Sequence, residues 1–188
     1  TVGLIDLIRQ GYLVPPRGIR VRIDDLDLRK VRRVAGDLNA GQLGVAMSAA
    51  MAPQRIVEAW EEHAKGRPTI AFLPTVAVSI EQAEAFCAAG YRAVHLDGTT
   101  SDDVRDRALD DFRSGRIDVL CNVNLFGEGT DLPMCSCVIL RMTSSRVVYQ
   151  QQVGRGLRLH PGKTNCIILD PAGVTGRHKL ATLASLDG

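Results

Sequence analysis

Aromatic residues are scarce in this chain: four Phe, three Tyr and one Trp make up 4% of its 188 residues. The core must therefore come from Val, Leu, Ile and Ala, a composition that suits helices packed on a buried parallel sheet. No apolar stretch approaches the roughly eighteen residues of a membrane-spanning helix, and no signal-peptide pattern opens the chain, so neither secretion nor a membrane partner is expected. A charge excess is also missing. Twenty-three Lys and Arg against 21 Asp and Glu leave a net charge of +2, too little to argue for nucleic-acid binding by itself. Cysteine occurs five times, at Cys87, Cys121, Cys135, Cys137 and Cys166, an odd count with no C-x-x-C pair. That pattern favours buried reduced thiols over a disulfide framework or a metal site, and it implies a reducing, cytoplasmic setting. The 45% hydrophobic and 23% charged content excludes a disordered chain. Finally, no G-x-x-x-x-G-K-[ST] sequence occurs, so the chain has no phosphate-cradling loop of that kind.

What is present has a clear rhythm. Residues 3–14 read as a short helix stopped near Gly11, and residues 18–23 (GIRVRI) alternate as a half-buried strand does. Residues 24–66 read as helical, with apolar positions at Leu26, Leu28, Val31 and Val34 and again from Ile56 to Ala64. From Arg67 onward, short apolar runs alternate with helical patterns: TIAFL, RAVHL, IDVLCNV, CSCVILR and NCIILD. Helices are expected over 76–89, from Asp102 to Arg113, and from about Ser145. Short apolar strands separated by helices predict β-α-β units, a parallel sheet and helices on both faces. In such folds ligands gather at the carboxyl ends of strands, which directs attention to the loops after Leu73, Leu96, Val123 and Leu140.

Three segments have chemical potential. In QQVGRGLR (151–158), Gln151, Arg155 and Arg158 share one helix face, and Gly154 and Gly156 leave room for a neighbouring surface. Two guanidiniums aimed one way suit a phosphate or carboxylate. A solvated helix face is the plainer reading. In FGEGTDLP (126–133), Gly127 and Gly129 open unusual backbone conformations beside Glu128 and Asp131, although a plain turn between strands also fits. In HLDGTTSDDVRDR (95–107), Thr99, Thr100 and Ser101 offer hydroxyls and amides at a helix start, equally readable as a capped helix with no ligand.

Taken in order, these segments resemble the C-terminal RecA-like domain of superfamily 2 (DEAD/DEAH-type) helicases. TIAFLPT resembles motif IV. HLDGTTSDDVRDRALDDFRSG resembles the family's H-G-x-x-x-x-x-x-R…F-x-x-G segment, with Arg105, Phe112 and Gly115 in register. NVNLFGEGTDLP resembles motif V, and QQVGRGLR resembles motif VI. The resemblance implies a three-layer RecA-like α/β domain over 67–188, preceded by a connector and entering strand (1–24) and a helical extension (25–66). It implies that Arg155 and Arg158 reach ATP across an interdomain cleft, with Arg158 in the arginine-finger position, and that Gln151, Gly129 and Asp131 border the nucleotide. Thr75, Thr99 and Arg105 match positions that touch or support the nucleic-acid backbone. The usual motif V threonine is replaced by Val123, leaving Asn122 or Asn124 as substitutes, and Asp97 stands where the family's histidine falls, so His95 reads as a strand-end residue.

The chain also lacks a D-E-A-D or D-E-x-H box. The resemblance therefore implies that ATP and its Mg2+ are held mainly by an N-terminal RecA-like domain, expected to precede Thr1, and that this piece alone is inactive. Nucleic acid, DNA more than RNA, is the expected partner. Two other readings remain: a non-catalytic α/β binding module, and a flavodoxin-like small-molecule enzyme, which would need a Gly-rich loop that FLPTVAVS does not supply.

Overall fold

A computed structural model describes residues 4–125 and 130–175, with side chains through Pro171. Helix α1 (Leu4–Arg9) ends at Gly11, whose φ of 77° turns the chain out of the helix. Strand β1 (Pro16–Asp27) comes next, then a single 3-10 turn (Leu28–Lys30) capped by Asp27. A two-residue turn at Ala35-Gly36 joins β2 (Arg33–Val34) to β3 (Asp37–Leu38) in a small antiparallel hairpin. Helices α2 (Ala40–Ala49) and α3 (Ala52–His63) lead to β4 (Thr69–Phe72). The remainder is α4 (Val76–Ala88), β5 (Ala93–Leu96), α5 (Asp102–Arg113), β6 (Val119–Asn122), β7 (Cys137–Ile139), α6 (Arg146–Gly156) and β8 (Cys166–Thr175).

Six strands form one sheet in the order β1-β8-β7-β4-β6-β5, and every pairing is parallel. Buried on both sides, its strands sort their side chains by alternation. Ala71, Cys137, Ile139, Ile167 and Leu169 join one apolar layer with α2, α3 and α4. Ile70, Phe72, Val138, Cys166 and Ile168 join the opposite layer with α5 and α6. This is the expected three-layer arrangement. Trp60 of α3 sits at the centre of the first layer, fully buried, edge-on to Phe86 and Tyr91, with its indole N–H donated to Thr69 at 2.7 Å. The five cysteines are all free; burial raises the thiol of Cys135 to about 11 and those of Cys121, Cys137 and Cys166 further.

The helical expectation for residues 25–38 is corrected. Strand β1 runs on to Asp27 and the hairpin occupies 33–38. A shift in the β1–β8 register between Ile23 and Asp27 interrupts the alternation, so the buried positions Ile23, Leu26, Leu28 and Val31 are spaced three, two and three apart, and that spacing imitates a helix. Val34, expected on the apolar face, is exposed at the hairpin.

Candidate functional site

The parallel register aligns the ends of the central strands. Ala71 pairs with Ile139 and Cys121, and Cys121 pairs with His95. Thr143, Thr75, Asn124 and Thr99 therefore come just after four neighbouring strands, β7, β4, β6 and β5, at the carboxyl edge of the sheet. Thr75 caps α4 and its hydroxyl accepts the Val78 amide at 3.2 Å, which leaves the hydroxyl proton available to a ligand. Helix α2 crosses close to it: a Cβ on Gly44 would lie 3.0 Å from the Thr75 hydroxyl oxygen. Asn124 is exposed, in the left-handed region at φ 52°, a conformation Asn tolerates better than most residues. Thr99 is committed inward. Its amide and hydroxyl both donate to Asp97, at 2.8 and 2.7 Å, so its hydroxyl presents only lone pairs outward. Those two bonds from Thr99, and after them the contact from His95, hold the Asp97 carboxyl down to about 2. Thr100, whose hydroxyl accepts the Asp97 amide at 3.0 Å, keeps a proton to donate. Arg105 is partly exposed and pairs with Asp102.

Asn122 is a correction. It is fully buried, donating to the Ala71 carbonyl at 2.9 Å while its own carbonyl oxygen has no hydrogen-bond partner. Its place explains this: Asn122 is the last residue of β6, a central strand covered on both faces, where either orientation is buried. Of the two asparagines, only Asn124 faces solvent. His95 is likewise internal to the scaffold, bridging the buried Ser79 hydroxyl at 2.7 Å and Asp97 at 3.1 Å.

Arg155 and Arg158 lie elsewhere. Helix α6 starts at the carboxyl edge and runs back along the sheet, about 16 Å for its 11 residues. Its end meets the opposite edge, where the Leu157 carbonyl accepts the Val14 amide at 2.8 Å, just ahead of β1. Arg155 donates to the Thr130 carbonyl at 3.3 Å, and Arg158 pairs with Asp131; that pair is exposed, 39% and 72% by side chain. The segment after β6 thus meets the end of α6 at the amino edge, away from the carboxyl-edge loops to which the sequence directs attention. Lys163 fastens this corner, donating to the carbonyls of Pro133 and Arg158 at 3.0 and 2.9 Å, with burial lowering its pKa. Gln151 is exposed, whereas its neighbour Gln152 is buried and accepts the Arg141 amide at 3.0 Å. Gly127, Glu128 and Gly129 lie outside the described residues. The two glycines of α6 differ. A Cβ on Gly154 meets nothing within 4 Å, while one on Gly156 would fall 2.5 Å from both Cys166 and Val138. Among the described residues no group of three or more His, Cys, Asp or Glu side chains could hold a metal ion. No described helix is long and apolar enough to cross a membrane.

Asp37 was missed by sequence reading because its segment resembled a helix. Its carboxylate accepts from the Arg141 guanidinium (2.6 Å), the Thr143 hydroxyl (2.7 Å) and the amides of Ser144 and Leu38 (2.8 Å each). This ties the hairpin to the loop that starts α6. Burial pushes the carboxyl up, but the bonds from Ser144, Thr143 and Leu38 and the charge of Arg141 outweigh it, so the pKa is lowered. A lowered carboxylate stabilises the fold above its unfolded pKa, and that contribution disappears as pH falls through the folded value. Asp37→Asn should therefore lose about 3 kcal/mol at pH 7, the low end of the range for breaking a buried pair, because both side chains keep some solvent contact. In urea denaturation the gap from wild type should narrow steadily as the pH drops below the ordinary carboxylate range.

The parallel three-layer sheet, with polar loop residues in a row at its carboxyl edge and paired arginines on a helix end, defines a RecA-like domain. The chain belongs to the helicase conserved C-terminal domain family, which it matches over residues 51–160, and so to the superfamily 2 helicases. A "51.5 kDa protein" of a Lactococcus phage is 37% identical over 147 residues, 78% of this chain and 32% of the relative. The "Putative mitochondrial ATP-dependent helicase irc3" of Schizosaccharomyces pombe is 37% identical over 169 residues, 88% of this chain and 27% of the relative. Among solved structures, "The fragment structure of a putative HsdR subunit of a type I restriction enzyme" from Vibrio vulnificus superposes with a TM-score of 0.69 at 21% identity, covering 91% of this chain and 34% of that one. The chain spans about a third or less of the curated relatives it matches.

Proposed function

We propose that this chain is the second motor domain of an ATP-dependent nucleic-acid helicase or translocase. Arg155 and Arg158 would act on the phosphates of ATP, which with its Mg2+ would be held by an N-terminal RecA-like domain, and the carboxyl edge grips a strand. The observation that supports this best is the meeting of motifs V and VI: Thr130 and Asp131 orient Arg155 and Arg158 at one exposed corner. Asp131 holds the Arg158 fork at the surface, where a phosphate can replace the carboxylate as its partner. Gly154, with open space beyond it, lets another surface approach the arginines closely. The residues present fit one flank of a nucleotide: they supply guanidiniums, while the P-loop sequence is absent from the chain. ATP hydrolysis supplies the free energy, and closure of the two domains around it would shift one strand-gripping edge against the other.

On the opposite edge, Thr75, Thr100 and Asn124 offer hydroxyl and amide groups to phosphates or sugars without reading bases. Arg105, in the first turn of α5 and paired with Asp102, follows directly after the turn that holds Thr100. We take DNA as the strand, on the likeness of the motif pattern to restriction and repair helicases. The test is ATP turnover by the full-length protein with and without single-stranded DNA or RNA, alongside residues 1–188 alone. Stimulation by a nucleic acid is expected only in the full-length protein. A full-length protein whose turnover ignores both nucleic acids would overturn the reading.

A further inference from the structure

We propose that the β2–β3 hairpin extends the strand-gripping edge, with Arg32 and Arg33 holding backbone phosphates of a single-stranded nucleic acid. The inference rests on the proposed motor function and adds an element that none of the motif segments contains. Its position comes from the anchoring bonds. Asp37 binds Thr143 and Ser144, just after β7, and the Gly36 carbonyl accepts the Ser144 hydroxyl at 3.2 Å. On the other side, the Arg32 amide donates to the Gln42 side chain at 2.8 Å and the Arg32 carbonyl accepts the Asn39 amide at 2.8 Å. Gln42 lies two residues before Gly44, the residue against Thr75. The hairpin therefore stands at the β7 end of the row that continues through Thr75, Asn124 and the 97–100 turn. Neighbouring strands lie about 4.8 Å apart, so the four-strand row is about 14 Å long, a span of two or three nucleotides.

Charge and rigidity both favour a phosphate partner. Arg22, Arg29, Arg92, Arg116 and Arg141 each have a carboxylate partner. Arg32 and Arg33 are exposed, and among the described residues neither side chain has one. Two guanidiniums without a carboxylate partner on one short hairpin raise the local positive potential, which an anion relieves. The turn between the strands holds Ala35 at φ 50° and Gly36 at φ 84°, the two positive values of a tight hairpin turn. Ala in that region is disfavoured, and the Asp37 anchor keeps it there. The arginines are thus carried on a fixed element.

The experiment uses the full-length protein and a fluorescein-labelled oligo-dT strand, with affinity read by anisotropy across a salt series. Replacing both residues (R32Q with R33Q) should weaken binding on the order of tenfold at moderate salt. It should also flatten the slope of log affinity against log salt by about 1.4, the loss of two phosphate contacts on a single strand. A charge-matched control, R17Q with R116Q, removes two arginines near the amino edge and should leave the slope close to wild type. Wild-type protein that binds no oligonucleotide at any salt would sink the motor reading and the hairpin with it. Wild-type binding with an unchanged slope in the hairpin variant, or an equal loss in the control, would overturn the hairpin alone. Unchanged thermal midpoints in both variants separate a lost contact from a lost fold.

Discussion

Arg158→Ala in the full-length protein should cut nucleic-acid-stimulated ATP turnover by about 10³-fold or more, the range seen when an arginine finger is withdrawn from a transferring phosphoryl group. The size of that effect can be assigned to chemistry because the fold hardly depends on the side chain. Its partner Asp131 is 72% exposed, and exposed ion pairs contribute about 0–1 kcal/mol. The loss should fall on kcat far more than on KM, since a finger acts on charge that develops in the transition state. Arg158→Lys should recover only part of the rate, for an ammonium keeps the charge without the planar fork. Turnover within tenfold of wild type would remove the finger assignment while leaving the domain's family membership intact.

The second large effect concerns shape. Gly156→Ala should destabilise the domain by about 2–3 kcal/mol, because the new methyl would overlap Cys166 and Val138 in the packed layer between α6 and the sheet. For a domain of this size that corresponds to a fall of roughly 5–10 °C in thermal midpoint. Gly154→Ala is the matched comparison, two residues along the same helix. With open space at its Cβ, it should gain up to about 1 kcal/mol from helix propensity. Opposite signs at Gly154 and Gly156 in a thermal melt would verify the packing. A Gly156→Ala midpoint equal to wild type would place α6 further from the sheet.

These two glycines also show how far sequence reading reached. Both were visible as helix glycines with room around them, but only coordinates distinguish the one pressed on β7 and β8 from the one left open. The strands from β4 to β8 were legible because buried parallel strands are short apolar runs between helices, as TIAF and CVI are. The β1-to-β3 region was not, because the register shift near Ile23 placed buried residues at helix-like spacing. That misreading hid Asp37, whose partners Arg141, Thr143 and Ser144 lie more than a hundred residues away. Asn122 could have been set aside by its place inside the apolar run IDVLCNV, because a strand covered on both faces buries every position. The position of the arginines could not: knowing that α6 comes after β7 gives the edge where the helix begins, and only its length and its contact with Val14 show where it stops.

Helix α6 thus joins the two places to which the proposed roles are assigned. One end is bolted through Ser144 to the hairpin, the other carries the guanidiniums, and the seat of Gly156 on the sheet prevents the rod from sliding between them. A stiff strut cannot store a stroke. Under the proposed motor function, a helix held at both ends would pass movement on to the joint with a second domain instead of absorbing it.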